Sequence, residues 1–140
     1  MENCIFCKII NGELPCYKVY EDEKFLAFLD INPITPGHTL VIPKKHSQFV
    51  SGMSIEDLEG IMPVANRISL AIRKSGINCE DINFEIADGE AAGQEIAHMH
   101  MHLIPRFTND GYGYTYPAGY RTGATKGLEE LAEKIKTSMD

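Results

Sequence analysis

Residues 98–104 read HMHMHLI, so three of the chain's five histidines alternate with apolar residues. Successive side chains of a β-strand point to opposite faces, which would place these imidazoles in one row about 7 Å apart and turn the apolar residues toward a core. Crowded imidazoles suffer desolvation and mutual repulsion when protonated, so packing alone does not favour such a row. The pattern predicts a strand over His98–Pro105 that carries chemistry on one face; the alternative is a surface row on an edge strand.

The length and charge of the chain narrow the possible classes of protein. A chain of 140 residues can form one domain with a single core, and 44% hydrophobic with 24% charged residues is typical of soluble globular proteins. A net charge of −7 argues against binding of nucleic acid polymers, although a small anion can still bind to local donors. Neither a signal peptide nor an 18-residue apolar run occurs, so we expect a cytoplasmic protein without a membrane segment.

Apolar periodicity and turn residues predict five strands and three helices. The strands are expected at Tyr17–Tyr20, Phe25–Asp30, Thr39–Ile42, Asn83–Ala87 and His98–Pro105. The helices are expected at Ile5–Ile10, from the N-cap Ser54 to Gly76 with a kink at Pro63, and around Leu128, Leu131 and Ile135. Because strands and helices do not alternate regularly, we expect an α+β fold with an antiparallel sheet.

The remaining histidines, His38 and His46, bracket the strand Thr39–Ile42, so neighbouring strands would gather all five imidazoles. An unperturbed imidazole has a pKa of about 6.5 and is mostly neutral at pH 7. A neutral imidazole can attack phosphorus, and a covalent intermediate splits a difficult displacement into two easier steps. Neighbouring imidazoles could orient the nucleophile and bind phosphate oxygens, whereas a single histidine is more often simply buried or at the surface.

Residues 98–104 resemble the His-φ-His-φ-His-φ-φ motif of the histidine triad (HIT) superfamily, in which φ is apolar. Residues 4–10, 25–33, 36–46 and 92–95 resemble its Hint-like branch, including bacterial-type members with an N-terminal CxxC. The similarity covers about residues 4–108 of what we interpret as a single domain, residues 1–140, with a variable tail over residues 109–140. The resemblance implies a HIT-like fold: an antiparallel sheet of about five strands, a long helix packed on it, and short N- and C-terminal helices.

The resemblance also implies an activity. Such proteins are nucleotide hydrolases or transferases that act at the α-phosphate of purine nucleoside phosphoramidates, aminoacyl adenylates or dinucleoside polyphosphates, and release a nucleoside monophosphate without a catalytic metal. It assigns the nucleophile to His100, and its orientation and the phosphate oxygens to His102 and His38. Gln94 and the backbone near Glu95 would contact the phosphate and the leaving group. A homodimer is implied as well.

A purine pocket is a further implication of the resemblance. It would consist of apolar side chains and one carboxylate for the ribose hydroxyls: Ile5, Phe6, Ile9, Phe28, Leu40 and Asp30. Apolar and aromatic walls suit a purine face, although the same side chains could be plain core and Asp30 could merely end a strand. Ala87 stands where many Hint-like proteins have Asn, and the neighbouring Asp88 cannot replace that residue because a carboxylate repels phosphate.

Near the N-terminus, Cys4 and Cys7 form a CxxC pair. Without a secretory signal this spacing favours a metal or redox site, and we expect no room ahead of Cys4 for the strand of a thioredoxin-like motif. A Cys₂His₂ zinc site needs two histidines, and the resemblance implies His46 and His98. One structural zinc ion per chain would hold the first helix to the sheet, away from the nucleophile; the alternative is a pair of free buried thiols.

Two other functions remain open at this point. One is a nucleotide-binding regulatory or interaction protein with little turnover. The other is a metal-dependent hydrolase that uses the histidines as ligands. The Gly- and Tyr-rich segment 111–120 could be a surface loop, or it could face the substrate or a dimer partner.

Overall fold

The computed structural model describes residues 3–121 and 127–140, and its contacts divide the chain into two compact units, Met1–Asp110 and Gly111–Asp140. The first unit contains, in chain order, α1 (Ile5–Ile10), β1 (Lys18–Glu21), β2 (Phe25–Leu29), β3 (Thr39–Pro43), α2 (Ile55–Lys74), β4 (Asp81–Ile86) and β5 (Met101–Arg106). The second contains α3 (Leu128–Thr137). The interpretation of the whole chain as a single domain stays a prediction.

All five strands form one antiparallel sheet in the order β1-β2-β3-β5-β4, which confirms the predicted α+β class. β3 and β5 lie side by side near its centre, with Leu40 opposite His102. His38 directly precedes β3, so this pairing brings two histidines that are 64 residues apart in sequence to the same place.

The long helix α2 covers one face of the sheet. Its N-cap is Ser54, whose Oγ accepts a hydrogen bond from the backbone N–H of Asp57, and the helix continues through Pro63 to Lys74. One side of α2 packs on alternate residues of the strands, in a buried core that includes Ile61, Ala65, Ile68, Phe25, Ala27, Val41, Met101 and Leu103. This core fixes the sheet against which the site is built.

A smaller apolar cluster lies on the opposite face, formed by Phe6, Leu26, Phe28, Leu40 and Ile42. Its residue Phe6 comes from α1, which has only six residues and ends at Ile10 as the sequence predicts. So short a helix is not stable by itself, since the first hydrogen-bonded turn is unfavourable to form. Tertiary contacts must therefore hold α1 on this face.

The strand predicted over His98–Pro105 begins three residues later, at Met101. Continued toward its N-terminus, the register would place Met99 opposite Pro43, which has no N–H, and the Pro43 carbonyl accepts from the His98 ring instead. The segment is held by a 2.6 Å hydrogen bond from the Met99 N–H to the Ser47 carbonyl. The alternation survives nevertheless, because Met99 lies in the α2 core while the rings of His98 and His100 contact Phe6.

The second unit carries a stack of aromatic side chains and the predicted last helix. The rings of Tyr116 and Tyr120 are parallel with centroids 4.2 Å apart, and the guanidinium of Arg121 lies 5.2 Å from the Tyr120 centroid. α3 is amphipathic, and its apolar side chains are exposed: Leu128, Leu131 and Ile135. Across residues 3–121 and 127–140, no helix has the length and apolar character needed to cross a membrane.

Candidate functional site

His100 lies immediately before β5, and its side chain is almost fully buried. Its Nδ1 is 2.7 Å from the carbonyl oxygen of His98. A carbonyl can only accept a hydrogen bond, so Nδ1 carries the proton and Nε2 keeps its lone pair. This ring therefore has the two properties required of an imidazole nucleophile: one nitrogen held by a hydrogen bond and the other basic.

A series of two hydrogen bonds fixes the tautomers of His38 and His102. The backbone N–H of Ile34 donates to His38 Nδ1 over 3.1 Å, which places the His38 proton on Nε2. That Nε2 donates over 2.9 Å to His102 Nδ1, which leaves the His102 proton on its own Nε2. The series ends in an N–H donor whose ring centroid is 4.9 Å from that of His100, and such a donor can bind a phosphate oxygen.

Both rings of this series are held in the neutral form. Burial, and after it the nearby His100 and His38 rings, lower the pKa of His102 to about 4. Burial also lowers the pKa of His38, against the opposing charge of Asp30. This series of hydrogen bonds requires neutral rings, because a protonated His102 Nδ1 could not accept the hydrogen bond from His38.

These shifts predict how stability depends on pH. An unfolded histidine takes up a proton near pH 6.5, whereas folded His102 stays neutral down to about pH 4, so the free energy of unfolding should fall as the pH drops through this window. His102→Gln should flatten that dependence. Denaturant unfolding of both proteins at a series of pH values measures the difference; equal slopes for the two would contradict the lowered pKa.

Asp30 follows β2 and sits beside the same two rings. Its Oδ2 is 3.6 Å from His38 Nε2, while its Oδ1 accepts a 2.8 Å hydrogen bond from the Asn32 N–H. The carboxylate thus ends the strand and also borders the histidines, so the predicted ribose contact stays a prediction. Asp30, His38 and His102 have potential ligand atoms within 4.8 Å of one another, which is where a metal-dependent hydrolase would hold an ion.

The loop between β4 and β5 is braced by Gln94, which is buried. Its Oε1 accepts from the Gly89 N–H over 3.0 Å, and its Nε2 donates to the Gln48 carbonyl over 2.8 Å. The Asp88 carboxylate accepts a hydrogen bond from the Val50 N–H over 2.8 Å and so helps to hold the loop in place. Glu95 is exposed beside Gln94.

The structure brings most of the predicted purine-pocket residues together. Phe6, Phe28 and Leu40 are buried in the smaller apolar cluster on the face of the sheet that carries α1. The half-buried side chain of Ile9 packs against this cluster. Ile5, in contrast, is 43% exposed on α1. The three buried side chains already pack against other residues of the core, so their contact with a purine stays a prediction.

Cys4, Cys7, His46 and His98 place their potential ligand atoms within 4.8 Å of one another. His98 Nδ1 lies 3.4 Å from Cys4 Sγ, 3.6 Å from Cys7 Sγ and 3.1 Å from His46 Nδ1. The other nitrogen of His98, Nε2, donates to the Pro43 carbonyl over 2.8 Å, so the lone pair on Nδ1 faces the two sulfurs. Thus a helix, a loop and the approach to β5 converge on one point.

The chemistry of these four groups fits a divalent metal ion. Burial, and next the neighbouring Cys4 thiol, raise the pKa of the Cys7 thiol to about 11, so a cation is needed to favour the thiolate at neutral pH. Burial lowers the pKa of His98, which keeps its imidazole neutral as a ligand must be. Two cysteine sulfurs and two imidazoles, one of them oriented by a carbonyl, are the kind of donor set that tetrahedral zinc sites use.

Sequence reasoning missed the backbone groups that set these tautomers. They are the Ile34 N–H and the carbonyls of Pro43 and His98. No residue pattern could have identified them, because nearly every residue carries the same peptide groups. Only their position in the fold gives them a role.

Comparisons with known proteins agree with this geometry. A family model of the HIT domain matches residues 11–109. The crystal structure of a HIT-family member from Bacillus subtilis superposes with a TM-score of 0.89 and 40% identity, covering 99% of this chain and 98% of that one. A Zn-bound histidine triad family protein from Mycobacterium smegmatis superposes with a TM-score of 0.76 and 36% identity, covering 99% of each chain.

A relative from Schizosaccharomyces pombe, an adenosine 5'-monophosphoramidase, is 38% identical over 139 residues, which cover 96% of this chain and 99% of the relative. Together with the HIT-domain match and the close structural similarity, this likeness extends from the histidine motif to almost the whole chain. The chain belongs to the histidine triad family.

Proposed function

We propose that this protein is a nucleotide hydrolase that acts at the α-phosphate of a purine nucleoside phosphoramidate, aminoacyl adenylate or dinucleoside polyphosphate through a covalent nucleotidyl intermediate on His100. The observation that carries the proposal is the set of hydrogen bonds at His100, His38 and His102, from which we infer a lone pair on His100 Nε2 and an N–H on Nε2 of the neighbouring His102 ring. The phosphoramidase activity named for the Schizosaccharomyces pombe relative supports it.

The reaction has two displacements at phosphorus. In the first, the lone pair of His100 Nε2 forms the P–N bond, and the leaving group departs with the electron pair of its bond and takes a proton from water. The His102 N–H binds a phosphate oxygen as its charge grows. In the second, water attacks phosphorus and gives up a proton that neutralises the hydroxide left by the first step, the P–N bond breaks, its electron pair returns to Nε2, and a nucleoside monophosphate is released.

We place the leaving group beside Gln94 and Glu95. A surface cavity of about 570 Å³ adjoins Gln94 and Glu95 and extends past Gln48 and Glu90. Its position supports the roles given to Gln94 and Glu95, with the second Nε2 hydrogen of Gln94 binding the phosphate.

A substrate panel tests the proposal. Purified protein is given an adenosine phosphoramidate, an aminoacyl adenylate and a dinucleoside polyphosphate, without added metal, and AMP release and AMP binding are both measured. We expect turnover of at least one substrate. Binding of AMP with no turnover of any would instead support the nucleotide-binding alternative, and turnover that requires added divalent metal would support the metal-dependent hydrolase.

We also propose that two copies form a homodimer through β4 and α2. β4 is one edge of the sheet, and an edge strand is suited to pairing with a second copy. Phe84 and Ile86 lie opposite Leu103 and Met101, hence on the α2 face, and both are exposed. α2 adds the exposed apolar side chains of Leu58 and Met62, and such apolar surface mainly marks interfaces.

Replacing Phe84 by arginine should dissociate this dimer, because a charge would be buried without a partner. Light scattering coupled to size-exclusion chromatography should give twice the 15.6 kDa chain mass for the wild type and the single chain mass for Phe84→Arg. Val19→Arg is the matched control, since Val19 is an equally exposed apolar residue on the opposite edge strand, β1. A monomeric wild type, or dissociation by Val19→Arg instead, would contradict this interface.

For the Cys₂His₂ cluster we propose one structural zinc ion per chain. We also propose that the protein acts in the cytoplasm, because none of the cysteines in the described part of the chain is in a disulfide, as is usual in a reducing compartment.

A further inference from the structure

The candidate metal centre and the nucleophile share one residue, His98. Its ring is held at both nitrogens, with Nδ1 directed at the cysteine sulfurs and Nε2 bonded to the Pro43 carbonyl. Its own carbonyl accepts the hydrogen bond that fixes His100. Any change that turns residue 98 therefore also moves the group that sets the tautomer and direction of the nucleophile.

Phe6 provides a second connection between the two. It lies on α1 between Cys4 and Cys7, and its ring is buried. It meets the His100 ring edge-to-face, with centroids 5.3 Å apart and planes at 86°, and the His98 ring in the same manner at 5.8 Å and 73°. Since α1 is too short to be stable alone, its contacts with the rest of the fold hold this ring in place, and those contacts include the cysteines on either side of Phe6, which lie against His98 and His46.

We propose that Phe6 and the Cys4–Cys7 cluster are positioning elements of the active site, which orient the His100 ring through the Phe6 ring edge and the His98 carbonyl. This inference rests on the proposed function and goes beyond it, because it gives the metal centre a role in the reaction and gives Phe6 a role other than contact with the base. Zinc at the cluster would draw the two cysteines together and so hold α1, and with it Phe6, against the nucleophile.

Positioning and base contact predict different kinetics. An in-line attack requires the lone pair of His100 Nε2 to point at phosphorus, and a misplacement of about 1 Å can reduce the rate about 100-fold. Loss of orientation therefore lowers kcat. Loss of a contact that binds substrate and transition state equally raises KM and leaves kcat unchanged.

Phe6→Leu tests the proposal, because it keeps an apolar side chain and removes the ring edge. With zinc content measured for each protein, we expect kcat to fall about 10-fold to 100-fold and KM to change by less than about 3-fold. Ile10→Ala is the matched control: it removes a half-buried apolar group from the same helix, next to the same cluster. It should leave both constants near the wild-type values.

A readout independent of turnover is the proton NMR signal of the His100 Nδ1–H. In the wild type this hydrogen-bonded proton should give a downfield signal that exchanges slowly with water. It should broaden or disappear in Phe6→Leu at unchanged zinc content, and also in Cys7→Ser, which removes a ligand. The kcat losses of these two variants should be less than additive when combined, since both act through one ring.

The proposal is overturned if Phe6→Leu raises KM alone, or if the Nδ1–H signal and kcat both stay as in the wild type. If Phe6→Leu does not fold, Phe6→Met replaces it in the same comparison. If the wild type turns over no substrate, the proposed function fails, and the NMR comparison still decides whether Phe6 and the cysteines orient His100.

Discussion

His100→Ala should reduce turnover of an adenosine phosphoramidate by about 10⁴-fold or more, while AMP still binds with an affinity within about 10-fold of the wild type. The large effect is expected because the imidazole would form a bond to phosphorus, and the neighbouring histidine rings are committed to other contacts. His102 cannot take over, since its Nδ1 accepts from His38 and its Nε2 carries the proton.

The same variant separates a covalent mechanism from direct attack by water. Rapid acid-free quenching of the wild type, followed by peptide mass spectrometry, should find one nucleotidyl group on the peptide that contains His100, and none in His100→Ala. Met101→Leu is the control, because it changes the next residue along the strand, which faces the α2 core. Near-normal turnover by His100→Ala would rule out the intermediate.

The histidine alternation shows what the sequence could and could not predict. It predicted correctly that Met99, Met101 and Leu103 form a core and that the histidines share the other side. It predicted a regular strand from His98, whereas pairing starts at Met101 because Pro43 lacks an N–H. The alternation of side chains indicates which face of the strand is buried. It does not indicate that the neighbouring strand β3 lacks a backbone N–H donor at Pro43.

The different roles of the histidines depend on contacts that their alternation in the sequence does not reveal. The alternation makes His98, His100 and His102 equivalent, whereas the structure distinguishes them by two backbone carbonyls, those of Pro43 and His98, and by the His38 ring. The purine pocket is hard to predict for a different reason. A buried aromatic or aliphatic side chain such as Phe28 or Leu40 meets the needs of a core and of a ligand wall equally, so neither the sequence nor burial alone separates the two.

Removal of the proposed zinc ion should strongly lower the free energy of unfolding. A ligand that binds only the folded state stabilises it by about 4 kcal/mol when its free concentration is 1,000 times the dissociation constant. Cys7→Ser takes away one of four ligands, so we expect it to lose stoichiometric zinc and to unfold with a free energy lower by about that amount. The greatest gain in hydrogen exchange should be in α1, which the cysteines hold in place.

The decisive comparison is a chelator added to both proteins. EDTA should lower the denaturation midpoint of the wild type and leave that of Cys7→Ser unchanged, because only the wild type has a bound ion to lose. Cys79→Ser is the matched control: it alters the same kind of side chain outside the cluster, where the thiol bonds to the Asp81 carbonyl, and it should keep both its zinc and its response to EDTA. Purified wild type without stoichiometric zinc would show that the cysteines are a pair of buried thiols, and the orientation of His98 would then depend on Pro43 and the packing of Phe6 alone.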